Sequence, residues 1–314
     1  MNIQCLVLMA VVLSILSYVL PMHHAIATSI TPKCRRQVLQ QALGLTPAIL
    51  FQSTENPQSA AMAIVPGGLA SKLSEKDPNA LKNSLFNIPP TAQIYPQWMK
   101  GKWNVVSSFR GYIFPSDRIP KETLTQDFDI PGFQKCSIAA TCDVGRESAS
   151  WELIINSRDA CEDRQATLRS QIDGYLGYSA VNEVVYDPRA NPNRISIDFV
   201  DYKTINAERI ELFCNARESE EYTRDNDGAR IFVCAEYNRQ VTFGGGSQVG
   251  IPRQVVGNYA HFWTWKFVSD TSLIGNLLTA CYLDPQDNLF FEEPSKPVAI
   301  YSHSLSATKV SGLL

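Results

Sequence analysis

From Trp98 onward the chain alternates apolar and polar residues with a period of two, and that alternation leaves few architectures open. Trp103, Val105, Ser107 and Phe109 point one way along such a strand. Trp151, Leu153 and Ile155 repeat the pattern, as do Ile195, Ile197 and Phe199. Arg209 to Cys214 and Ile231 to Phe243 predict further strands, with Ile231, Val233, Ala235, Tyr237, Val241 and Phe243 on one face. His261, Trp263, Trp265 and Phe267 form another alternating set, and Tyr282, Phe290–Phe291 and Val298 to Tyr301 supply the last strands. Between them lie turn-forming clusters, among them Thr204 to Ala207, Asp225-Asn226-Asp227-Gly228 and Asp284 to Asn288. Only Glu162 to Gly174 prefers helix: Leu168, Ile172 and Leu176 stand four apart, and Gly174 or Gly177 ends the run.

About ten antiparallel strands with one short helix make either a sandwich or a closed barrel. Closure removes the exposed edges that template aggregation, and a barrel of about eight to ten strands is wide enough to hold a small ligand. The expectation is therefore a mainly β, antiparallel barrel. The 314 residues are 45% hydrophobic, 10% aromatic and 19% charged, which excludes a disordered, collagenous or polytopic membrane chain. Net charge is −3 and no Lys/Arg run exceeds two, so no nucleic-acid-binding surface is expected.

The first sixty residues read as addresses. Cys5 to Leu20 is an uncharged apolar run, shorter than the ~20 residues a membrane span needs. Pro21 and Ala25-Ile26-Ala27 follow, which places a signal-peptide cut after Ala27. Lys33-Cys34-Arg35-Arg36-Gln37-Val38-Leu39 then resembles a twin-arginine export motif, ahead of an apolar stretch and a second small-x-small site, Ala61-Met62-Ala63. The reading is a signal peptide at 1–27, a plastid-transit and lumen-targeting segment at 28–63, an extended leader at 64–96, the barrel at 97–305 and a tail at 306–314. It implies a plastid thylakoid-lumen protein with no integral span after processing. A secreted protein is the alternative, although no Asn-x-Ser/Thr sequon occurs. Plastid precursors of diatoms usually carry an aromatic residue after the first cut, and Thr28 stands there.

The most specific string is Tyr95-Pro96-Gln97-Trp98-Met99-Lys100-Gly101-Lys102-Trp103. Gly101-x-Trp103 at the head of the first strand resembles the opening of lipocalin-like barrels. There the indole closes the barrel floor and its N–H needs one partner. With Tyr186-Asp187-Pro188, Asn191 to Arg194, Arg209 to Phe213 and Asn215-x-Arg217, the chain resembles a cyanobacterial and plastid family that carries a domain-of-unknown-function label. The resemblance runs from about Pro89 to Tyr301. It implies a lipocalin-like barrel and plastid residence, and no reaction. Two features depart from true lipocalins. Val200-Asp201-Tyr202 matches their Thr-Asp-Tyr segment weakly, and no C-terminal Arg is identifiable to pack on Trp103.

Catalytic sets are sparse. After processing only His261 and His303 remain, too few for a three-His metal site, and no metal or cofactor is expected. Cys136, Cys142, Cys161, Cys214, Cys234 and Cys281 contain no Cys-x-x-Cys. Cys136–Cys142 closes the easiest loop, and Cys214–Cys234 links paired strands if the register allows. Gly244 to Gly250 is neither a nucleophile elbow nor a phosphate loop, and reads as a strand connection. Asp225 to Gly228 lacks the twelfth-position Glu of a calcium loop and reads as a tight turn, and Glu218 to Glu221 as a solvated loop. The expected activity is non-enzymatic binding of a hydrophobic small molecule (pigment, quinone or lipid), with Trp103, Val105, Trp151, His261, Trp263 and Trp265 as the lining. The alternatives are a scaffold for a thylakoid complex with a packed barrel, and an isomerase- or de-epoxidase-like enzyme on the same fold.

Overall fold

The computed structural model describes residues 64–83, 90–126, 148–204, 207–244 and 254–310. All of them fall within one unit, Val38–Leu314. They form nine strands: β1 (Gly101–Ile113), β2 (Ala149–Ile155), β3 (Val181–Val185), β4 (Arg194–Phe199), β5 (Arg209–Thr223), β6 (Arg230–Phe243), β7 (Gln254–Ser269), β8 (Ser272–Tyr282) and β9 (Ala299–Lys309). The helices are α1 (Leu69–Ser74), α2 (Lys121–Gln126) and α3 (Arg164–Leu176). No helix among the described residues is long and apolar enough to cross a membrane.

The strands join antiparallel in one sheet of order β2-β1-β9-β8-β7-β6-β5-β4-β3. A mainly β, barrel-like fold with one long helix is therefore what the alternation encodes. Closure differs from expectation. The sheet curls into a half-barrel whose edges, β2 and β3, do not pair with each other. Instead α3, which connects those two strands in the chain, packs on both.

The helix does the hydrogen-bonding work of a missing strand. Toward β2, Ser170 Oγ accepts from Glu152 N at 2.9 Å and Thr167 Oγ1 accepts from Ile154 N at 3.1 Å. Toward β3, Gln165 Nε2 donates to Val184 O at 3.0 Å and Arg169 Nη2 to Asn182 O at 2.7 Å. One turn on, Asp173 Oδ1 accepts from Ala180 N and Val181 N, at 2.8 and 2.9 Å. Edge amides and carbonyls that would otherwise need water or another chain are thus satisfied within the fold. This accounts for the polar character of the buried face of α3, which carries Thr167 and Gln171 beside Ile172 and Tyr175. Asp163 caps the helix by accepting from Ala166 N at 3.1 Å, and Gly177 ends it in the left-handed conformation at φ +79°.

Each face of the sheet has its own core. Trp103, Trp151, Phe232, Trp265, Leu273 and Leu305 pack on the inner face with Tyr175 of α3. Ile231, Val233, Ala235 and Tyr237, the set that alternation predicts to share a face of β6, lie on the outer face. There they are covered by Leu69, Ala70 and Leu73 of α1 and by Leu81. The stretch before Trp98 is therefore packed structure where it is described. The acidic run that reads as a solvated loop is the outer end of β5, and it anchors that structure. Glu220 accepts from Val65 N at 2.9 Å and from Ala70 N at 3.0 Å, Glu218 pairs with Lys72 at 3.2 Å, and Glu221 accepts from Trp98 Nε1 at 2.8 Å.

Trp103 is fully buried, and its Nε1 donates to Met99 O at 2.7 Å, giving the indole N–H the single partner it needs. Lys309 Nζ sits 5.1 Å from the centroid of the Trp103 ring. A lysine at the end of β9 thus occupies the place where an arginine was sought. Gly101 has φ +113°, and a Cβ there would lie 2.9 Å from Lys309 Cε, so the glycine both turns the chain and clears the lysine stem.

Two further expectations are corrected. Phe290 and Phe291 lie in turns, not a strand, and the second is 83% exposed. Cys214 opposes Asn238 and Cys234 opposes Ser219, so the two thiols are out of register; both are free, as is Cys161. Cys281 is disulfide-bonded. Cys136, Cys142 and Gly245 to Gly250 lie outside the described residues. The Asp225–Gly228 segment is a tight turn between β5 and β6, where Asp227 is engaged by Arg224 and by Lys266.

Candidate ligand-binding site

Between α3 and the inner face of the sheet lies a cavity of about 70 Å³. One wall is aromatic: Trp151 from β2 and Tyr259, Trp263 and Trp265 from β7. Trp263 and Trp265 stack with planes 3° apart and centroids at 6.3 Å, and Trp151 meets Trp263 edge-on at 6.0 Å. The floor is polar and charged. Arg164 enters from the first turn of α3, Glu236 from β6, Arg217 from β5, and Glu162 from the segment before the helix.

A β-bulge assembles this floor. Cys214 and Arg217 are three apart, so in a regular strand they would face opposite sides. The register of β5 against β6 shifts between Cys214 and Ala216, and both side chains line the cavity. Arg164 then grips Glu236 with two parallel bonds, Nη1 to Oε1 at 2.6 Å and Nη2 to Oε2 at 2.8 Å. Arg217 Nε donates to the same Oε1 at 2.8 Å, and its other nitrogens reach Thr91 O and Cys214 Sγ.

Burial pushes the Glu236 carboxyl up, but the guanidiniums of Arg164 and Arg217 overcome it and hold the group well below the usual carboxylate range. Glu162 goes the other way. Burial raises it and the neighbouring Glu236 charge adds to the rise, against the opposing pull of Arg164 and of the 3.0 Å bond from Tyr95 OH. Among the lining residues, two arginines thus face one firmly ionised carboxylate and a second that resists ionisation. Burial pushes Cys214 up to about 12 and Cys234 up as well, so both cavity thiols stay protonated near neutrality and are poor nucleophiles. Burial also lowers His261 to about 4, leaving a neutral imidazole whose Nδ1 lies 3.0 Å from Thr279 Oγ1.

The Glu162 environment carries a signed prediction. A carboxyl with a raised folded-state pKa binds its proton more tightly in the native than in the unfolded chain. Stability is then lost as pH rises from the ordinary carboxyl value through the raised one. Glu162→Gln removes that penalty, and its side-chain oxygen still accepts from Tyr95 OH. Thermal melts should show the variant gaining on the wild type at pH 8 relative to pH 4; a gap independent of pH would contradict this account.

Of the six residues expected to line a ligand site, Trp151, His261, Trp263 and Trp265 reach the cavity. Trp103 and Val105 share the inner face but are buried in the core, and they do not line it. Arg164, Arg217, Glu236 and Glu162 were not anticipated as a site. Arg217 does stand in the Asn215-x-Arg217 string that carries the family resemblance, and Glu236 is the one charged residue between Ile231 and Tyr237.

A helix-sealed β half-barrel with a small cavity, tryptophan on one wall and a charged floor, is the class of protein these elements define. The chain belongs to the family described as a domain of unknown function (DUF6816), whose model matches residues 88–311. No curated protein and no solved structure matches it.

Proposed function

We propose that this protein binds a hydrophobic small molecule without transforming it, holding one end of the ligand in the cavity beside α3. The observation that carries the reading is the cavity itself, walled by tryptophans, where three buried polar atoms have no partner among the described residues: Trp151 Nε1, Arg164 Nε and Asn193 Oδ1. Buried polar atoms are rarely left unanswered, and those at a functional site are answered by what binds there. At ~10–15 Å³ per water-sized position, about 70 Å³ takes an end group of a pigment, quinone or lipid. The half-buried Leu168, Pro192 and Leu212 offer apolar surface for the rest.

Residence in the thylakoid lumen is part of the same proposal. It is supported by the Arg35-Arg36 motif between two small-x-small sites, and an oxidising compartment suits the Cys281 disulfide. Protein isolated from its source cells should carry an organic ligand detectable by native mass spectrometry, and its tryptophan fluorescence should be quenched by an added carotenoid or quinone. Failure of both would remove the binding reading.

A further inference from the structure

The cavity's unanswered atoms specify more than a greasy end group. Two of the three, Trp151 Nε1 and Arg164 Nε, are donors that cannot accept, and the third, Asn193 Oδ1, is an amide oxygen whose side chain also carries an NH2 donor at the same terminus. Trp151 is 3% exposed and the Arg164 side chain 11%, so bulk water does not freely supply their partners. Arg164 turns the edge formed by its two terminal nitrogens toward Glu236, so its Nε–H points away from that carboxylate. The charges lean the same way: two guanidiniums, Arg164 and Arg217, share one ionised carboxylate, Glu236, while burial favours the neutral form of Glu162. A group that brings oxygen acceptors and a negative charge would answer the donors and balance the floor. One that brings donors would leave both N–H groups unpaired.

Resting on the binding reading above, we propose that the group held in this cavity is a carboxylate, its oxygens accepting from Arg164 Nε and Trp151 Nε1 and its alkyl carbons lying against the tryptophan wall. The volume is about half that of the ~150 Å³ cavity that holds benzene, which suits about three non-hydrogen atoms, the carboxylate group itself, with the alkyl carbons beyond it. The carboxylate is then either a short-chain acid or the head of a longer amphiphile.

The purified protein is titrated with butyrate, butanol and decanoate at low salt, following the indole Nε1–H resonances by NMR. The Trp151 resonance is assigned by its loss in Trp151→Phe. Butyrate should bind at least tenfold more tightly than butanol and move the Trp151 N–H signal. Trp151→Phe, which keeps an aromatic ring, should weaken butyrate about five- to tenfold and leave butanol within twofold. Arg164→Lys, which keeps the charge beside Glu236 but lacks the Nε–H, provides an independent second variant with the same expected loss. Decanoate binding more tightly than butyrate identifies an amphiphile head, and equal affinity a short-chain acid; both support the proposal. Butanol binding as well as butyrate overturns the carboxylate while leaving the binding reading intact. If no probe perturbs any cavity tryptophan, and the protein from source cells carries no ligand, both fail together.

Discussion

Replacing Glu236 with Gln should lower the free energy of unfolding by about 3–5 kcal/mol, read as a shift of the urea midpoint at unchanged slope. The carboxylate is the shared partner of two guanidiniums that are almost out of water, with the Arg217 side chain 5% and that of Arg164 11% exposed. Gln is nearly isosteric, so no cavity opens. What remains is two buried positive charges with a neutral amide between them, and that electrostatic penalty is the expected loss. A loss of this size is a large fraction of the ~5–15 kcal/mol that stabilises an ordinary domain. If the effect is electrostatic, Glu236→Gln combined with Arg164→Met should be less destabilised than the two single losses predict, because the second change removes one stranded charge. A loss below about 1 kcal/mol, taken as the midpoint shift times the slope, would mean that the triad is solvated and the cavity floor is not what its geometry implies.

Acid should act on the same groups. Glu236 is held well below the usual carboxylate range, and Glu211, against the rise from burial, is brought down to about 2 by bonds from Arg194, Ser196 and Arg209. A carboxylate depressed in the folded state stabilises fully above its unfolded value near ~4.3 and loses that contribution as pH falls toward the folded one. The protein should therefore weaken steeply below about pH 4. The Glu236→Gln variant, already without one of these terms, should show a shallower acid limb.

Period-two reasoning finds what alternates and misses what does not. In β7 the bulky His261, Trp263 and Trp265 recur at every second position on the inner face, so its pattern was plain and three cavity residues came with it. In β8, Leu277 to Tyr282 are buried on both faces, and such a run carries no alternation to read; only Tyr282 was placed in a strand. Arg217 was out of reach for a different reason, since the bulge at Asn215 breaks the parity on which facing arguments depend. Glu162 and Arg164 gather with Glu236 only because α3 folds back against the sheet. Ile172, Leu168 and Leu176 pack the helix on β3 to β5, but its bonds to the two strand edges come from polar side chains, Thr167, Ser170, Gln165 and Arg169, which a hydrophobic pattern treats as surface. Closure by helix rather than by strand was hidden by the same polarity.

The helix's role as a stave makes Gly174→Ala a test in which two effects have opposite signs. By helix propensity alone, Ala should stabilise an interior helical position by about 1 kcal/mol over Gly. Here a Cβ would stand 2.2 Å from Ser150 O, 3.1 Å from its carbonyl carbon and 3.3 Å from Trp151 Cβ. Those are backbone and core atoms of β2, and Ser150 is paired in register with Val106 of β1, so the strand cannot simply step aside. The helix must retreat instead. Retreat stretches the bonds from Glu152 N to Ser170 Oγ and from Ile154 N to Thr167 Oγ1, each worth about 1 kcal/mol, and adds an overpacking cost of about 1–3 kcal/mol. The net expectation is a loss of about 2–4 kcal/mol, with the β2 edge exposed and a stronger tendency to self-associate at high concentration. Ser170→Ala and Thr167→Val, which remove one acceptor each without a clash, should cost about 1–2 kcal/mol apiece. Denaturant melts of the three variants decide the matter: a Gly174→Ala protein more stable than the wild type would mean that α3 does not sit tight on β2, and the cavity would lose the wall that α3 provides.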